Sequence, residues 1–378
     1  MQRAMEADGD AALVHGLRGR PSNHRHDPTL RDRVLRAYRR QYVGFGPTFA
    51  AEKRADAGLV VGVETLRQWL VADGLWERHR RRDPHRSRRP RRSGFGELVR
   101  MDASIHDWLE GRGDTLVLVT MIDDATSRLR AKFYPGGTLD AHLDSLGEWL
   151  RAYGRPHALY TDRHSIFEAH EKGRPLADPD AKTQFGRALS ELDVALIRAH
   201  SPQAKGRVER SFGTAQDRWV KELRLANART LAEANAVLAR VLPDHNRRFA
   251  VAPKVTADCH RPLGRDFCLA SILSVRHERV VGNDYVVRFA NRFFQLLPPA
   301  RPGLRGGRVA VEERLDGTRA IRFGGVDLRY REIGADEEKT AGEGRERETA
   351  TGKRRRSPTG SGPHKPAADH PWRGGKKR

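Results

Sequence analysis

Three acids, Asp102, Asp162 and Glu209, stand where carboxylates could act together, although 60 and 47 residues separate them in the chain. Asp102 closes the alternating segment Leu98-Val99-Arg100-Met101-Asp102. Asp162 follows a short apolar segment, in Tyr160-Thr161-Asp162-Arg163-His164. Glu209 lies one turn into a long amphipathic segment, within Ser201-Pro202-Gln203-Ala204-Lys205-Gly206-Arg207-Val208-Glu209-Arg210. Carboxylates brought together repel and raise one another's pKa unless a cation lies between them. Two Mg²⁺ ions about 3.5–4 Å apart resolve that repulsion and polarise the attacking and leaving oxygens of an in-line phosphoryl transfer. Asp123 and Asp124, between two apolar segments, read instead as turn chemistry. Asp107 reads as a loop residue or a second-sphere group, and His164 as a loop residue or a phosphate contact.

The elements that must position these acids are legible in residues 97–262. Leu98–Asp102 alternates, Thr115–Ile122 is a nearly continuous apolar run as in a strand buried on both faces, and Arg128–Tyr134 alternates again. A helix over Leu139–Tyr153 follows, then strands at His157–Thr161 and Val194–Arg198 with a helix near Thr183–Leu192 between them. A long helix spans Gly206–Leu225, with Val208, Phe212, Ala215, Trp219 and Leu223 as its apolar stripe, and a further helix spans Leu231–Asn246. That order is the order of a ribonuclease-H-like domain, an α/β sandwich over a mixed five-stranded sheet. In such a sheet the first and fourth strands are neighbours and the long helix packs beside them, so the three acids converge.

Formal net charge is +22, which points to a polyanion, nucleic acid before an anionic membrane surface. Residues 1–97 carry +9, residues 98–262 only +3 and residues 263–378 +10, a nearly balanced centre between basic ends. The expected organisation is multi-domain. Residues 1–26 form a disordered arm whose Arg18-Gly19-Arg20-Pro21 suits a minor groove through Arg18 and Arg20, or is a plain basic linker. Residues 27–77 read as three helices of a helix-turn-helix, the third presenting Glu64, Arg67 and Gln68 outward to DNA, or as an ordinary three-helix cap. Arg54 falls where the second helix should be apolar. Residues 78–96 are an Arg-rich linker, a phosphate clamp if beside a duplex. Lys205 and Arg207, at the start of the Glu209 helix, are placed to hold DNA near the metals, or are a solvated basic helix start. Residues 263–333 carry five short strands with turns at Gly282-Asn283 and Asp316-Gly317, as in a small β-barrel, and residues 334–378 form a disordered basic tail.

Hydrophobic residues make up 38% of the chain, and no apolar run approaches the roughly 20 residues of a membrane helix. The two cysteines, Cys259 and Cys268, exclude a disulfide framework and a Cys-rich zinc module. A soluble, intracellular protein with no membrane partner is expected.

Met101-Asp102-Ala103-Ser104-Ile105-His106-Asp107-Trp108, Phe185-Gly186-Arg187-Ala188-Leu189 and Ser201 to Arg210 resemble the ISNCY-type insertion-sequence transposases of the DDE integrase/transposase superfamily, and the similarity runs from about Val14 to Ile333. The resemblance implies a polynucleotidyl transferase that uses water, then a 3′-hydroxyl, to cleave and join DNA strands of an insertion element. It implies Asp102, Asp162 and Glu209 as ligands of two Mg²⁺ ions, with Mn²⁺ able to substitute. Partners would be the double-stranded element ends and target, and further copies of the chain in a synaptic complex, in the bacterial cytoplasm at the nucleoid. For the C-terminal strands it implies an accessory DNA-binding or multimerisation role. Two departures stand out. Family members usually carry a further helix-turn-helix before the position of Val14, and Gly62 replaces the usual Ser cap of the third helix. The alternative is a truncated, catalytically idle DNA-binding protein that occupies element ends and inhibits transposition.

Overall fold

The computed structural model describes residues 26–77, 90–168, 170–171, 174–175, 182–198 and 206–334, with only the backbone course described for 170–171, 174–175 and 206–212. Arg18 and Arg20, most of the Arg78–Arg92 run, Lys205 and the tail beyond 334 therefore lie outside the described residues, as do the side chains of Arg207 and Glu209. The chain divides into two compact units between Ile272 and Leu273.

The first unit begins with three helices, α1 (Pro28–Gln41), α2 (Pro47–Asp56) and α3 (Val63–Ala72). Local chemistry sets their starts. Asp27 caps α1 by accepting from the Thr29 N–H at 2.8 Å, and Pro28 and Pro47 occupy first-turn positions that need no N–H donor. Gly62 precedes α3 and supplies no side-chain cap. Val34, Leu35, Tyr38, Phe45, Phe49, Leu66 and Leu70 close a small core among the three.

Next come β1 (Gly94–Phe95), β2 (Leu98–His106), β3 (Leu116–Asp123), β4 (Leu129–Tyr134), α4 (Leu139–Tyr153), β5 (Ala158–Thr161), β6 (His170–Glu171), β7 (Arg174–Pro175), α5 (Gln184–Glu191), β8 (Ala195–Arg198), α6 (Gly206–Leu225), α7 (Leu231–Phe249), β9 (Val255–Asp258) and α8 (Leu269–Ile272). The main sheet has the order β4-β3-β2-β5-β8, with β4, β3 and β2 antiparallel and β2, β5 and β8 parallel. This mixed five-stranded α/β arrangement is the one the sequence predicts. All of β3 is buried, because helices cover both faces of the sheet. Leu116, Leu118 and Ile122 join a core with Trp219 and Leu223 of α6 and Val237 and Leu238 of α7. The alternate residues Val117, Val119 and Met121 are buried on the opposite face, that of α4.

Two asparagines of α7 close the open edge of β4. Asn246 accepts from the Leu129 N–H at 2.8 Å and donates to the Leu129 carbonyl at 2.9 Å. Asn235 does the same for Phe133, at 2.9 and 3.0 Å. Each amide stands in for a neighbouring strand, which satisfies the edge and blocks pairing with another chain there. The chain then returns as β9 to pair with β1, so residues near Val255 are fastened beside the start of the domain.

The second unit contains β10 (Val275–Val280), β11 (Val286–Phe289), β12 (Arg292–Leu296), β13 (Arg308–Glu313), β14 (Arg319–Phe323), β15 (Val326–Leu328) and β16 (Tyr330–Ile333). The predicted short strands form, but in two sheets, β10-β13-β14-β15 and β11-β12-β16, around one core of Val281, Val287, Phe289, Phe294, Val309, Val311 and Ile321. The two strands unforeseen by sequence, β15 and β16, follow Gly324 and Gly325, whose φ of 57° and 80° turn the chain sharply after β14. Among the described residues no helix is long and apolar enough to cross a membrane.

Candidate active site

Asp102 does not end its strand, as the alternating pattern suggested. β2 runs on to His106, because its antiparallel pairing with β3 continues through His106↔Leu116. The parallel pairing with β5 stops earlier, at Arg100↔Tyr160, and Asp162 follows the last residue of β5. The offset between the paired positions is 60 residues throughout, Leu98↔Ala158, Val99↔Leu159 and Arg100↔Tyr160. The same offset separates Asp102 from Asp162. The two acids thus occupy equivalent places, two residues beyond the last pair, where the parallel strands part.

Asp102 lies on the same face of the sheet as Arg100, and Asp162 follows the end of the neighbouring strand. Arg100 stacks its guanidinium 5.1 Å from the centre of the Tyr160 ring, so those two side chains share a face. Asp102, two residues further along β2, returns to that face. The face is the one covered by α6 and α7, since Arg100 is paired in register with Ile122 and Ser104 with Leu118. Arg100 is itself buried, donating from Nε to Asp124 Oδ1 at 3.1 Å, with Nη2 3.0 Å from the same oxygen. The other Asp124 oxygen accepts from the Arg92 N–H at 2.9 Å. Asp123 accepts from Gly96, from the Thr126 N–H and from the Thr126 hydroxyl, at 3.0, 2.7 and 2.7 Å. The turn reading holds for Asp123, whereas Asp124 forms a buried ion pair beneath the site.

Local backbone donors orient the acids. The Ala103 N–H donates to Asp102 Oδ1 at 3.0 Å and the His164 N–H to Asp162 Oδ1 at 3.1 Å. His164 Nδ1 accepts from the Ile166 N–H at 3.4 Å, so this histidine shapes its own loop. Asp107 likewise accepts from the Gly111 N–H at 3.0 Å and caps a turn. On α4, burial holds His142 below the ordinary histidine value, opposed by the Thr138 carbonyl, which accepts from Nδ1 at 2.7 Å, and by Asp162.

Helix α6 lies against β2. Gln216 donates to the Ser104 hydroxyl at 3.2 Å, and Arg224 donates to Glu110 at 2.8 Å. Glu209 is in the first turn of α6, seven residues before Gln216 and so on the same helix face. Among the described residues no cluster of three or more His, Cys, Asp and Glu side chains is arranged to hold a metal ion. Asp102 and Asp162 offer carboxylate oxygens alone, the donor type that suits a hard cation such as Mg²⁺.

The expected DNA-reading face of α3 is at the surface, but its polar residues are engaged with one another. Glu64 accepts from Arg67 Nε at 2.8 Å, from Arg67 Nη2, and from Gln68 at 3.3 Å. Sequence reasoning missed Arg100, Asp124, Asn235 and Asn246. A charged residue inside the apolar Leu98–Met101 run was a usable signal for the first. No local pattern marks the asparagines, whose partners are more than 100 residues away.

No family model matches the chain. It is 39% identical over 345 residues to y4bF of Sinorhizobium fredii, assigned as a transposase, covering 89% of this chain and 74% of that protein. It is 29% identical over 330 residues to the transposase for insertion sequence IS1202 of Streptococcus pneumoniae, covering 77% of this chain and 70% of that one. Among solved structures, the catalytic core domain of BIV integrase is 17% identical and covers 38% of this chain and 82% of its own, with a TM-score of 0.28. The fold assignment rests on the strand order rather than on that likeness.

Proposed function

The chain belongs to the family of insertion-sequence transposases, and from that premise we propose that it cleaves DNA strands at an element's ends and joins the 3′-hydroxyls to target DNA, with Asp102, Asp162 and Glu209 as the acids of the site. The observation that carries this reading is the common offset of 60 residues that sets Asp102 and Asp162 at equivalent places on adjacent parallel strands. The course of α6 supports the third acid. Arg224 meets Glu110 and Gln216 meets Ser104, so the helix runs back along β2, and continued by two turns it leads position 209 towards Asp102.

The three carboxylates would hold two Mg²⁺ ions, which when bound activate the attacking oxygen and stabilise charge on the leaving one. The chain's own contribution is positional. The Ala103 and His164 N–H groups each donate to one oxygen of an aspartate and so orient the two carboxylates. The Arg100–Asp124 pair keeps the strands rigid beneath them. Lys205 and Arg207, at the N-terminus of α6, would hold the phosphate chain, and Arg18, Arg20, Arg67 and Gln68 the duplex further out. In this reading α1–α3 act as a helix-turn-helix, the second unit as an accessory DNA-binding barrel, and several copies assemble on paired DNA ends.

The test is strand transfer with an oligonucleotide carrying the element's end. Wild type should give Mg²⁺-dependent joined product. Glu209→Gln should abolish it while leaving end binding nearly unchanged. Binding without any product from the wild-type chain would favour an idle DNA-binding protein, and joining by Glu209→Gln would show the triad to be wrongly assigned.

A further inference from the structure

The helix that carries Glu209 is held from two sides. Its Gln216 face meets the sheet at Ser104. Positions 209 and 218 are nine residues apart, about two and a half turns, and so lie on opposite faces. The Arg218 face meets the α1–α3 helical unit of the same chain.

That second contact is built in detail. Phe45 and Phe49 stack with ring centres 5.2 Å apart and planes 6° apart. Three cations spaced by three residues along α6 close over them. Arg218 lies 4.7 Å from the Phe49 ring, and Lys221 and Arg224 lie 5.4 and 5.9 Å from the Phe45 ring. Arg218 grips Glu52 with both terminal nitrogens, at 2.7 and 3.0 Å, and Arg248 of α7 reaches the same carboxylate at 3.2 Å. Lys53 pairs with Glu222 at 2.5 Å, and Arg224 also donates to the Val43 carbonyl at 2.7 Å. Arg218, Lys221 and Arg224 are thus engaged in this joint. A forked arginine–carboxylate pair fixes orientation as well as distance, and cations over aromatic faces add to it. Glu52, Lys53, Arg218 and Glu222 of the joint line a cavity of about 560 Å³ together with Trp219 and His245.

We propose that the Glu52–Arg218 joint is a positioning contact for Glu209: the docked helical unit sets the tilt of α6, so that seating DNA on the helical unit and aligning the third acid are coupled within one chain. The proposal rests on the transposase reading for its consequence in catalysis, but the mechanical coupling stands apart from it. Because the lever arm from 218 to 209 is about 13 Å of helix, a small rotation at the joint becomes an ångström-scale displacement at the acid.

The experiment uses the full chain with Glu52→Arg, Arg218→Glu and the double swap, and Glu52→Gln as the milder variant if a swap fails to fold. Deuterium exchange of the backbone amides of residues 206–217 is followed in the free protein, and end joining and end binding are measured in parallel. Each single variant should raise exchange in this stretch at least about tenfold, including its first two turns, as expected when a local opening loses its packing partner. Joining should fall at least about tenfold while end binding changes little, since misplacement of about 1 Å can cost a hundredfold in rate. The double swap should recover most of both. Unchanged exchange at 206–217 in the single variants, or no recovery in the double, overturns the joint as a positioning contact. Loss of end binding in step with joining also overturns it, since the contact then serves the helical unit alone. If wild type does not join DNA, the functional reading fails while the exchange data still decide the coupling.

Discussion

Arg100 and Tyr160 are paired in register across the parallel β2–β5 ladder, the guanidinium 5.1 Å from the ring centre, and each stands two residues before an acid of the candidate site. The pair fixes which face both strands present. It does so at an electrostatic cost, since Arg100 is 4% exposed and its partner Asp124 only 2%. Burying two charges is worthwhile only while they remain together.

Arg100→Met is therefore expected to destabilise the first unit by about 3–5 kcal/mol, because it strips the buried Asp124 of its guanidinium. Asp124→Leu added to Arg100→Met should recover a substantial part of that loss. Urea unfolding of the two variants checks this. A double variant less stable than the single would show that the pair does not behave as a coupled buried charge.

Much of the architecture was legible because it is written in local patterns. The bounds of α3, α4 and α6 match the predicted Val63–Ala72, Leu139–Tyr153 and Gly206–Leu225, where apolar spacing and end residues agree. The continuous run of β3 correctly implied burial on both faces. Features that depend on distant partners were not legible. Asn246 and Asn235 look like ordinary helix polar residues until β4 lies beside them. Asp124 looks like a turn residue until Arg100 reaches it. The length of β2 beyond Asp102 depends on β3, and no feature of Ile105-His106 announces it. The candidate aspartates were legible in the same limited sense: their types and spacing were visible, but the common register that sets them side by side belongs to the sheet.

Arg54 gives a prediction of opposite sign. It is 1% exposed in α2, and none of its three guanidinium nitrogens has a hydrogen-bond partner among the described residues. Burial holds its pKa down, yet a guanidinium stays protonated, so the unfavourable charge remains in the core of the helical unit. Arg54→Met keeps the long unbranched shape and should stabilise that unit by about 1–4 kcal/mol. Thermal melting followed at the helical signal tests it, and a lower midpoint would reveal a partner that this reading lacks.

Glu64 should act as a brake on DNA binding by α3. It engages both Arg67 and Gln68, the two side chains expected to face a duplex. Glu64→Gln should raise affinity for duplex DNA and steepen its logarithmic salt dependence by about one, the change expected when one more cation is freed for a phosphate. Arg67→Ala should do the reverse. Fluorescence anisotropy across a salt series separates the outcomes. An unchanged slope in both variants would remove α3 from the DNA-binding surface.

Two side chains should each contribute to the acid sensitivity of the first unit, in separate pH windows. Burial, and then the charge of Arg218, hold His245 down at about 4, below the ordinary histidine value of 6.5. The unfolded chain binds this proton first, so stability is lost as pH falls from about 6.5 to 4. Arg224 chiefly, with Arg112, holds Glu110 down at about 2 against the ordinary 4.5. Here too the unfolded state takes up the proton first, and the contribution of Glu110, complete above about 4.5, disappears towards pH 2. His245→Phe, which keeps a ring against Trp219 and Phe249, should flatten the upper window and leave the lower one intact. Glu110→Gln should be less stable than wild type by a constant margin above pH 5, with the two curves converging below 4.5. Melting midpoints measured from pH 7 to pH 2 cover both windows. If His245→Phe retains the wild-type slope between pH 6.5 and 4, the imidazole is not the group that titrates there, and the neutral packing assigned to it against Trp219 is wrong.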